Sequence, residues 1–296
     1  MKTRTSVFAI LLCMLSFASP TAFAADASPA NAAPASTTRR PTEAQARAFV
    51  QSLLVKSPYR IPAQARAGEI RYRIRFESSR AWAWPETGEQ HAIADAKGTE
   101  LRICTDCGRE PQPTAETLRR YLAPNPWVQS DDRRIRNFAR QHARGGSINV
   151  RMLALVAAIR ESMTGPVDYR DYHDAVTALR TRSGDCTEFA VLLAASARAV
   201  GIPARVAHGI AYSSRFTGQA HVFSPHAWVQ VWDGTRWVSY DAGLGRFDAG
   251  HLALYIGDGS PDGLAGLDRV VRDLRIEEAA GIVREPADAA RLGSSE

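Results

Sequence analysis

The chain has 296 residues, 45% of them hydrophobic and 8% aromatic, enough to bury one large core or two modest ones and to exclude disorder throughout. The formal charge of +6 is mild. Its arginines are scattered, as at Arg39-Arg40, Arg119-Arg120 and Arg133-Arg134, so a solvated surface is expected and no nucleic-acid partner.

Residues 1–24 read as an export signal: Lys2 and Arg4 precede the apolar run Val7 to Phe17, and Ala22-Phe23-Ala24 offers a small-residue cleavage site. The run is too short for a stable bilayer-spanning helix, so no membrane span is expected after cleavage. A periplasmic or secreted location follows. Cys13 would leave with the signal, and three cysteines would remain: Cys104, Cys107 and Cys186. In an oxidising compartment Cys104 and Cys107 can pair locally, which singles out Cys186 as the odd thiol. Half a zinc site and a redox motif are the rival readings of that pair, but no second such pair supplies the missing zinc ligands, and the cysteines follow a strand-like stretch and precede Gly108 rather than opening a helix as a thioredoxin-like site would. Neither a metal nor any other cofactor is expected.

Residues 25–40 are rich in Ala, Ser, Thr and Pro and read as a flexible leader. A region at 41–122 follows, with one helix and a small β unit. Thr42 and Gln45 form a capping-box pattern ahead of Ala46, Phe49, Val50, Leu53 and Leu54, a helical face that ends before Pro58. The period then changes. Ile70, Tyr72, Ile74 and Phe76 alternate with Arg71, Arg73 and Arg75, predicting a half-buried strand with a basic outer face, and Leu101 to Cys104 predicts a second.

A central unit spans 123–260, with a C-terminal extension at 261–296. Helices are predicted after Ser130-Asp131-Asp132, after Ser147, over Ala175 to Leu179, and from Cys186 to Val200, where Gly201 and Pro203 stop the last one. Ala204 to Tyr212 reads as a strand and residues 213–224 as a polar loop. Two further strands flank Asp233-Gly234, a hairpin signal. The expected class is α+β, with helices packed on an antiparallel sheet.

Three residues in this unit suggest chemistry. Cys186 opens a helix, where free N–H groups and the helix dipole favour a thiolate. His226 and Asp241 lie fifteen residues apart on the two hairpin strands. A two-residue turn at Asp233-Gly234 would set them directly opposite each other, with Cβ atoms about 5 Å apart on one side of the sheet. A thiol nucleophile, an imidazole base and a carboxylate that orients the base are the parts needed for acyl transfer. Tyr169 and Tyr172 are candidates for a second oxyanion donor, though surface positions are the plainer expectation for both. His221 is a rival base, expected to be exposed in the loop; His208 falls within a strand and is expected to be packed or solvent-facing rather than catalytic. His91, His142, His173 and His251 have no partner that the sequence identifies. Trp228 is expected to support the site rather than bind a ligand.

Gly184-Asp185-Cys186-Thr187-Glu188-Phe189-Ala190, Gly201-Ile202-Pro203-Ala204-Arg205-Val206, His226-Ala227-Trp228-Val229 and Tyr240-Asp241-Ala242, in that order, resemble the core of the transglutaminase-like superfamily. The resemblance implies a papain-like α+β core preceded by a small β-containing N-terminal region, with catalytic roles for Cys186, His226 and Asp241. It also implies an enzyme acting on amide bonds through a cysteine thioester, as a peptidase or amidase more than a protein cross-linker. The substrate would be a peptide or protein, cell-envelope peptides included. No acidic loop with alternating oxygen ligands occurs, so calcium activation is not expected. The alternative is a non-catalytic binding or scaffold module of the cell envelope.

Overall fold

The computed structural model describes residues 40–78 and 81–282. The expected signal and nearly all of the expected leader lie outside the described residues. No helix among those described is long and apolar enough to cross a membrane.

In chain order the elements are α1 (Glu43–Ser52), β1 (Val55–Lys56), α2 (Ala63–Arg66), β2 (Glu69–Phe76), β3 (Gln90–Asp95), β4 (Gly98–Ile103), α3 (Ala115–Arg120), α4 (Arg133–His142), α5 (Ile148–Ser162), α6 (Ala175–Thr181), α7 (Cys186–Ala199), β5 (Ala204–Phe216), β6 (Gln219–Trp232), β7 (Trp237–Tyr240), β8 (His251–Gly257), α8 (Leu267–Asp273) and β9 (Leu274–Ile282). They form an α+β fold with two antiparallel sheets. One runs β1-β6-β5-β8, with β7 also on β6; the other runs β3-β4-β2-β9.

The helix starts follow their local chemistry. Thr42 and Gln45 make the capping box of α1 in both directions, and Asp132, Ser147 and Asp174 cap α4, α5 and α6 through side-chain oxygens. α7 is buried along most of its length. Ala190, Ala194, Ala195 and Ala197 present little bulk, which lets the helix lie close to Val206, Ala227, Val229 and Val231 of the large sheet. The helices α4, α5 and α6 pack around it in the same core.

In the small sheet Ile70, Tyr72, Ile74 and Phe76 are buried with Leu101 and Ile103. The arginines between them meet acids: Glu69 binds Arg71 and Arg102, Asp95 binds Arg73, and Glu277 binds Arg75. The basic face expected for this strand is thus a ladder of ion pairs. β9 pairs along the whole of β2, so part of the segment expected as a C-terminal extension is built into the N-terminal sheet. Cys104 and Cys107 form a disulfide just beyond β4.

Two expectations for the large sheet need correction. Residues 213–224 are not a loop: β5 and β6 continue through them as one long hairpin, turned at Thr217 and Gly218. The polar residues that suggested a loop belong to strand ends that are exposed at the tip. The turn between β6 and β7 also holds four residues rather than two, because Trp232 pairs with Trp237. The Asp233 side chain closes it by accepting from Thr235 N at 2.7 Å and Arg236 N at 2.9 Å. This displaces Asp241 by two positions, from opposite His226 to opposite Trp228. An even displacement keeps its side chain on the same side of the sheet.

Candidate active site

Cys186 is the first residue of α7, after Asp185 at the N-cap. Asp185 accepts from Thr187 N, and the Glu188 carboxylate turns back to accept from Asp185 N at 2.8 Å and from His173 N at 2.6 Å. Gly184 has φ +153°, and a Cβ there would lie 2.4 Å from Glu188 Cβ, so the entry turn has no room for a side chain. The entry loop and helix start are therefore locked together by a buried carboxylate.

The sheet supplies the surface that Cys186 faces. β1 pairs with β6 at Val222 and Phe223, and β7 pairs with it at residues 229–232. Between those partners the outer edge of β6 carries no strand among the described residues, and the cysteine lies against this gap. Its Sγ is 4.0 Å from Pro225 O, and the Ala227 N–H is directed to the sulfur. Proline at 225 removes an N–H that the gap would leave unpaired.

His226 projects from the same stretch. Its Nε2 is 2.8 Å from Asp241 Oδ2, and both residues are nearly enclosed, at 8% and 1% exposure. Burial acts to raise the Asp241 pKa, but the charge and hydrogen bonds of His226 and His251 prevail and hold the carboxyl well below the usual range. An ionised carboxylate only accepts, so Nε2 is the His226 nitrogen that donates to Asp241, and Nδ1 is the nitrogen not engaged by that bond. A Cβ placed on Gly243 would lie 3.2 Å from His226 Cε1, 3.2 Å from Asp241 Oδ1 and 3.8 Å from Cys186 Cα. Cys186 and His226 also line one cavity. Cys186, His226 and Asp241 thus border one spot beside Gly243, with Asp241 bonded to the ring of His226.

Asp241 is held at both oxygens. Oδ1 accepts from Gly243 N at 2.7 Å and Leu244 N at 3.1 Å; Oδ2 accepts from His226 and also from His251 Nε2 at 3.0 Å. Arg160 of α5 fixes the following turn by donating to the carbonyls of Ala242 and Gly243. His251 is the residue that sequence reasoning missed. It sits at the start of β8, on a strand that adds to β5 rather than to the hairpin, so no local spacing connects it to Asp241. Its other nitrogen lies 3.0 Å from Asp248 O, and Asp248 binds Arg66 at 2.6 Å. Burial acts to lower the His251 pKa, but hydrogen bonds to Asp241 and Asp248 overcome it and raise the value to about 9.

The stabilising contribution of His251 is therefore complete below its unfolded value of about 6.5 and is lost as pH rises through about 9. Urea unfolding of the wild type and of His251→Phe between pH 6 and pH 10 should show a stability gap that narrows across that window. A constant gap would place the effect in packing alone.

Other expected residues resolve as follows. Tyr172 is buried and donates to Gly259 O at 2.7 Å, so it is committed to structure. Tyr169 lines the cavity; burial, then the charges of Asp185 and Cys186, push its hydroxyl up to about 12, so it remains a proton donor. His221 is half-buried beside Tyr212, with Nδ1 2.9 Å from the hydroxyl. His208, expected to be either packed or solvent-facing, is packed within β5. Trp228 stacks against His226 and donates to Ser239 Oγ, which in turn bonds to the buried Glu89.

The expectation of a thiolate stabilised by the helix start needs correction. Burial, then the negative charge of Asp185, push the Cys186 thiol well above its ordinary range, against the opposing Ala227 N–H. One turn of helix dipole does not offset desolvation flanked by carboxylates. The donor atoms of His226, Asp241 and His251 lie close enough to one another to hold a metal ion. In the geometry seen, the two imidazoles meet at one carboxylate oxygen.

The fold and the cluster define an α+β protein with a half-buried cysteine at a helix start, set against the edge of the strand that carries His226, whose ring is paired with Asp241. Residues 138–242 match the family model of the transglutaminase-like superfamily, so the chain carries a domain of that superfamily. No curated relative matches the sequence. Among solved structures, a candidate cysteine protease from Cytophaga hutchinsonii is 17% identical over 74% of this chain and 88% of its own, with a TM-score of 0.43. The periplasmic domain of TgpA from Pseudomonas aeruginosa, bound to ethylmercury, is 17% identical over 68% of this chain and 95% of that one, with a TM-score of 0.39. A second structure of that domain is 18% identical over 66% and 91%, with a TM-score of 0.37.

Proposed function

We propose that the chain is an exported cysteine enzyme that cleaves amide bonds in peptides or proteins through a thioester on Cys186. The observation that carries this reading is the 2.8 Å bond from His226 Nε2 to Asp241, which orients the ring and keeps Nδ1 out of that bond, on a ring lining the same cavity as the cysteine. Cys186 Sγ attacks the carbonyl carbon while its proton passes to His226 Nδ1. The resulting oxyanion accepts from the Cys186 N–H, unpaired at the helix start, and from the Tyr169 hydroxyl. The C–N bond then breaks, and the imidazolium returns the proton to the departing amine. Water, activated by the same nitrogen, opens the thioester and releases a carboxylic acid.

The raised thiol makes this a reaction in which the base removes the proton as the sulfur attacks, rather than one that begins from a stored thiolate. It is also the observation that favours the alternative of a non-catalytic envelope module. Hydrolysis is preferred to cross-linking because water is always present, and the signal-like residues 1–24 support export.

Purified protein lacking residues 1–24, incubated with a mixture of peptides and a biotinylated primary amine, tests the reading. New peptide carboxyl ends, dependent on Cys186, are the expected product. Amine adducts in excess of those ends would reassign the protein to transamidation. No product of either kind, with the fold intact, would leave the scaffold module.

A further inference from the structure

The cavity beside Cys186 has a volume of about 310 Å³, at the small end of ligand sites. Away from the cysteine and histidine its wall includes Val50, Leu53, Phe189, Phe216, Leu264 and Val271. Four of these, Val50, Leu53, Leu264 and Val271, lie outside residues 138–242, so α1 and the segment after residue 260 shape a space that the superfamily domain does not enclose alone. Among the described residues no lysine or arginine lines it, whereas Asp185 and Asp268 do. An anionic group would meet carboxylates there without a partner.

A second observation comes from His208. It lines the cavity at 3% exposure, and its Nε2 has no hydrogen-bond partner among the described residues. Burial holds its pKa near 3, so the ring is uncharged and offers a single neutral hydrogen bond. A buried polar atom without a partner is rare in a folded protein, and a ligand group is one way to complete it.

We infer that this cavity is the acyl-donor subsite, and that it takes a large, uncharged, apolar side chain on the residue whose carbonyl Cys186 attacks. The inference rests on the acyl-transfer reading. Once sulfur bonds to the carbonyl carbon, the adjoining Cα is the next atom along the donor, and its side chain is the group that reaches the apolar wall. A ring carrying a hydroxyl at its far end also supplies the partner that His208 Nε2 lacks, which ranks tyrosine above phenylalanine.

Acetyl-alanyl chloromethyl ketones ending in tyrosine, phenylalanine, glycine or glutamate test this by intact mass. Sulfur displaces chloride to form a thioether, and the thiol proton passes to His226. Chloroacetamide serves as the control without a side chain. Tyrosine and phenylalanine are expected to label Cys186 about 10–100-fold faster than glycine, with glutamate no faster than glycine. Val271→Trp, which fills the cavity, should erase the tyrosine-to-glycine ratio; Phe216→Ala, at the end of β5, should reduce it and serves if the first variant fails to fold. Equal rates for glycine and tyrosine in the wild type would overturn the subsite. Tyrosine reacting no faster than phenylalanine would remove His208 from it. Failure of the acyl-transfer reading has a separate signature: chloroacetamide would label His226→Ala as fast as the wild type.

Discussion

Cys186→Ala is expected to eliminate amide cleavage, a loss on the order of 10⁶-fold for removal of a nucleophile from an intact site. The fold should survive. The side chain is half-buried, its contacts are with the β6 edge, and the helix cap belongs to Asp185 and Glu188, which the change leaves alone. Alanine is also a good helix former at this position. Circular dichroism and a melting curve close to those of the wild type, together with loss of new peptide carboxyl ends, would separate chemistry from folding. A Cys186→Ala protein that still cleaves would mean that another group is the nucleophile.

Asp241→Asn should have the second-largest effect, and it should act in two ways. The rate is expected to fall about 10⁴-fold, because an amide no longer enforces the tautomer in which His226 Nδ1 is free. Stability should also fall, by about 3–5 kcal/mol, as for a buried ion pair broken on one side: His226 and His251 would lose the carboxylate they share, and the His251 pKa would fall because one of the two acids that raise it is gone. The pH dependence separates the two. Because the Asp241 pKa is held below the usual range, its stabilising contribution is present above about pH 4 and is lost only on acidification through the depressed native value. The deficit of the asparagine variant should shrink above about pH 9, where His251 becomes neutral, while the loss in rate should persist. Urea titrations at pH 7 and pH 10, paired with peptide turnover, read both.

Much of the site was legible because its parts are local. A capping pattern at Thr42, an N-cap serine at 147, the glycine-led start of α7 and the alternation of β2 are all decided within a few residues, where backbone hydrogen bonds and burial leave few alternatives. The hairpin that carries His226 and Asp241 was read with the wrong turn. The side of the sheet was right because the error was even. What escaped was set by distant pairing. β9 reaches back nearly two hundred residues to β2, and its run of Glu277, Glu278, Ala279 and Ala280 carries no strand alternation of its own. The long tip of the β5–β6 hairpin is polar because it is exposed, so composition alone resembled a loop. His251 reaches Asp241 only after β8 has added to β5, and Asp248 and Arg66 meet only after α2 has docked on the loop that precedes it.

The N-terminal region is more than a neighbour of this site. Gln90 pairs with Ala253 of β8 through both ends of its amide, at 2.8 Å and 3.0 Å. Tyr72 donates to Ala249 O, and Arg66 holds both Asp248 and the backbone of Ala249. Glu89 reaches Ser239 and Gln230 beside Trp228, where burial pushes its own pKa up to about 7. The loop from Asp241 to His251 and the strands on either side of it are therefore clamped by the N-terminal region. This explains how a carboxylate beyond the end of a four-residue strand is held firmly enough to orient an imidazole.

The central claim is that the thiol of residue 186 and the ring of residue 226 work as one acid–base unit. Its most direct test is the rate of alkylation by chloroacetamide as a function of pH, in the wild type and in His226→Ala. The account expects substantial labelling of the wild type at neutral pH, and labelling of the variant only when alkali strips a buried, unassisted thiol. Superimposable profiles would contradict it.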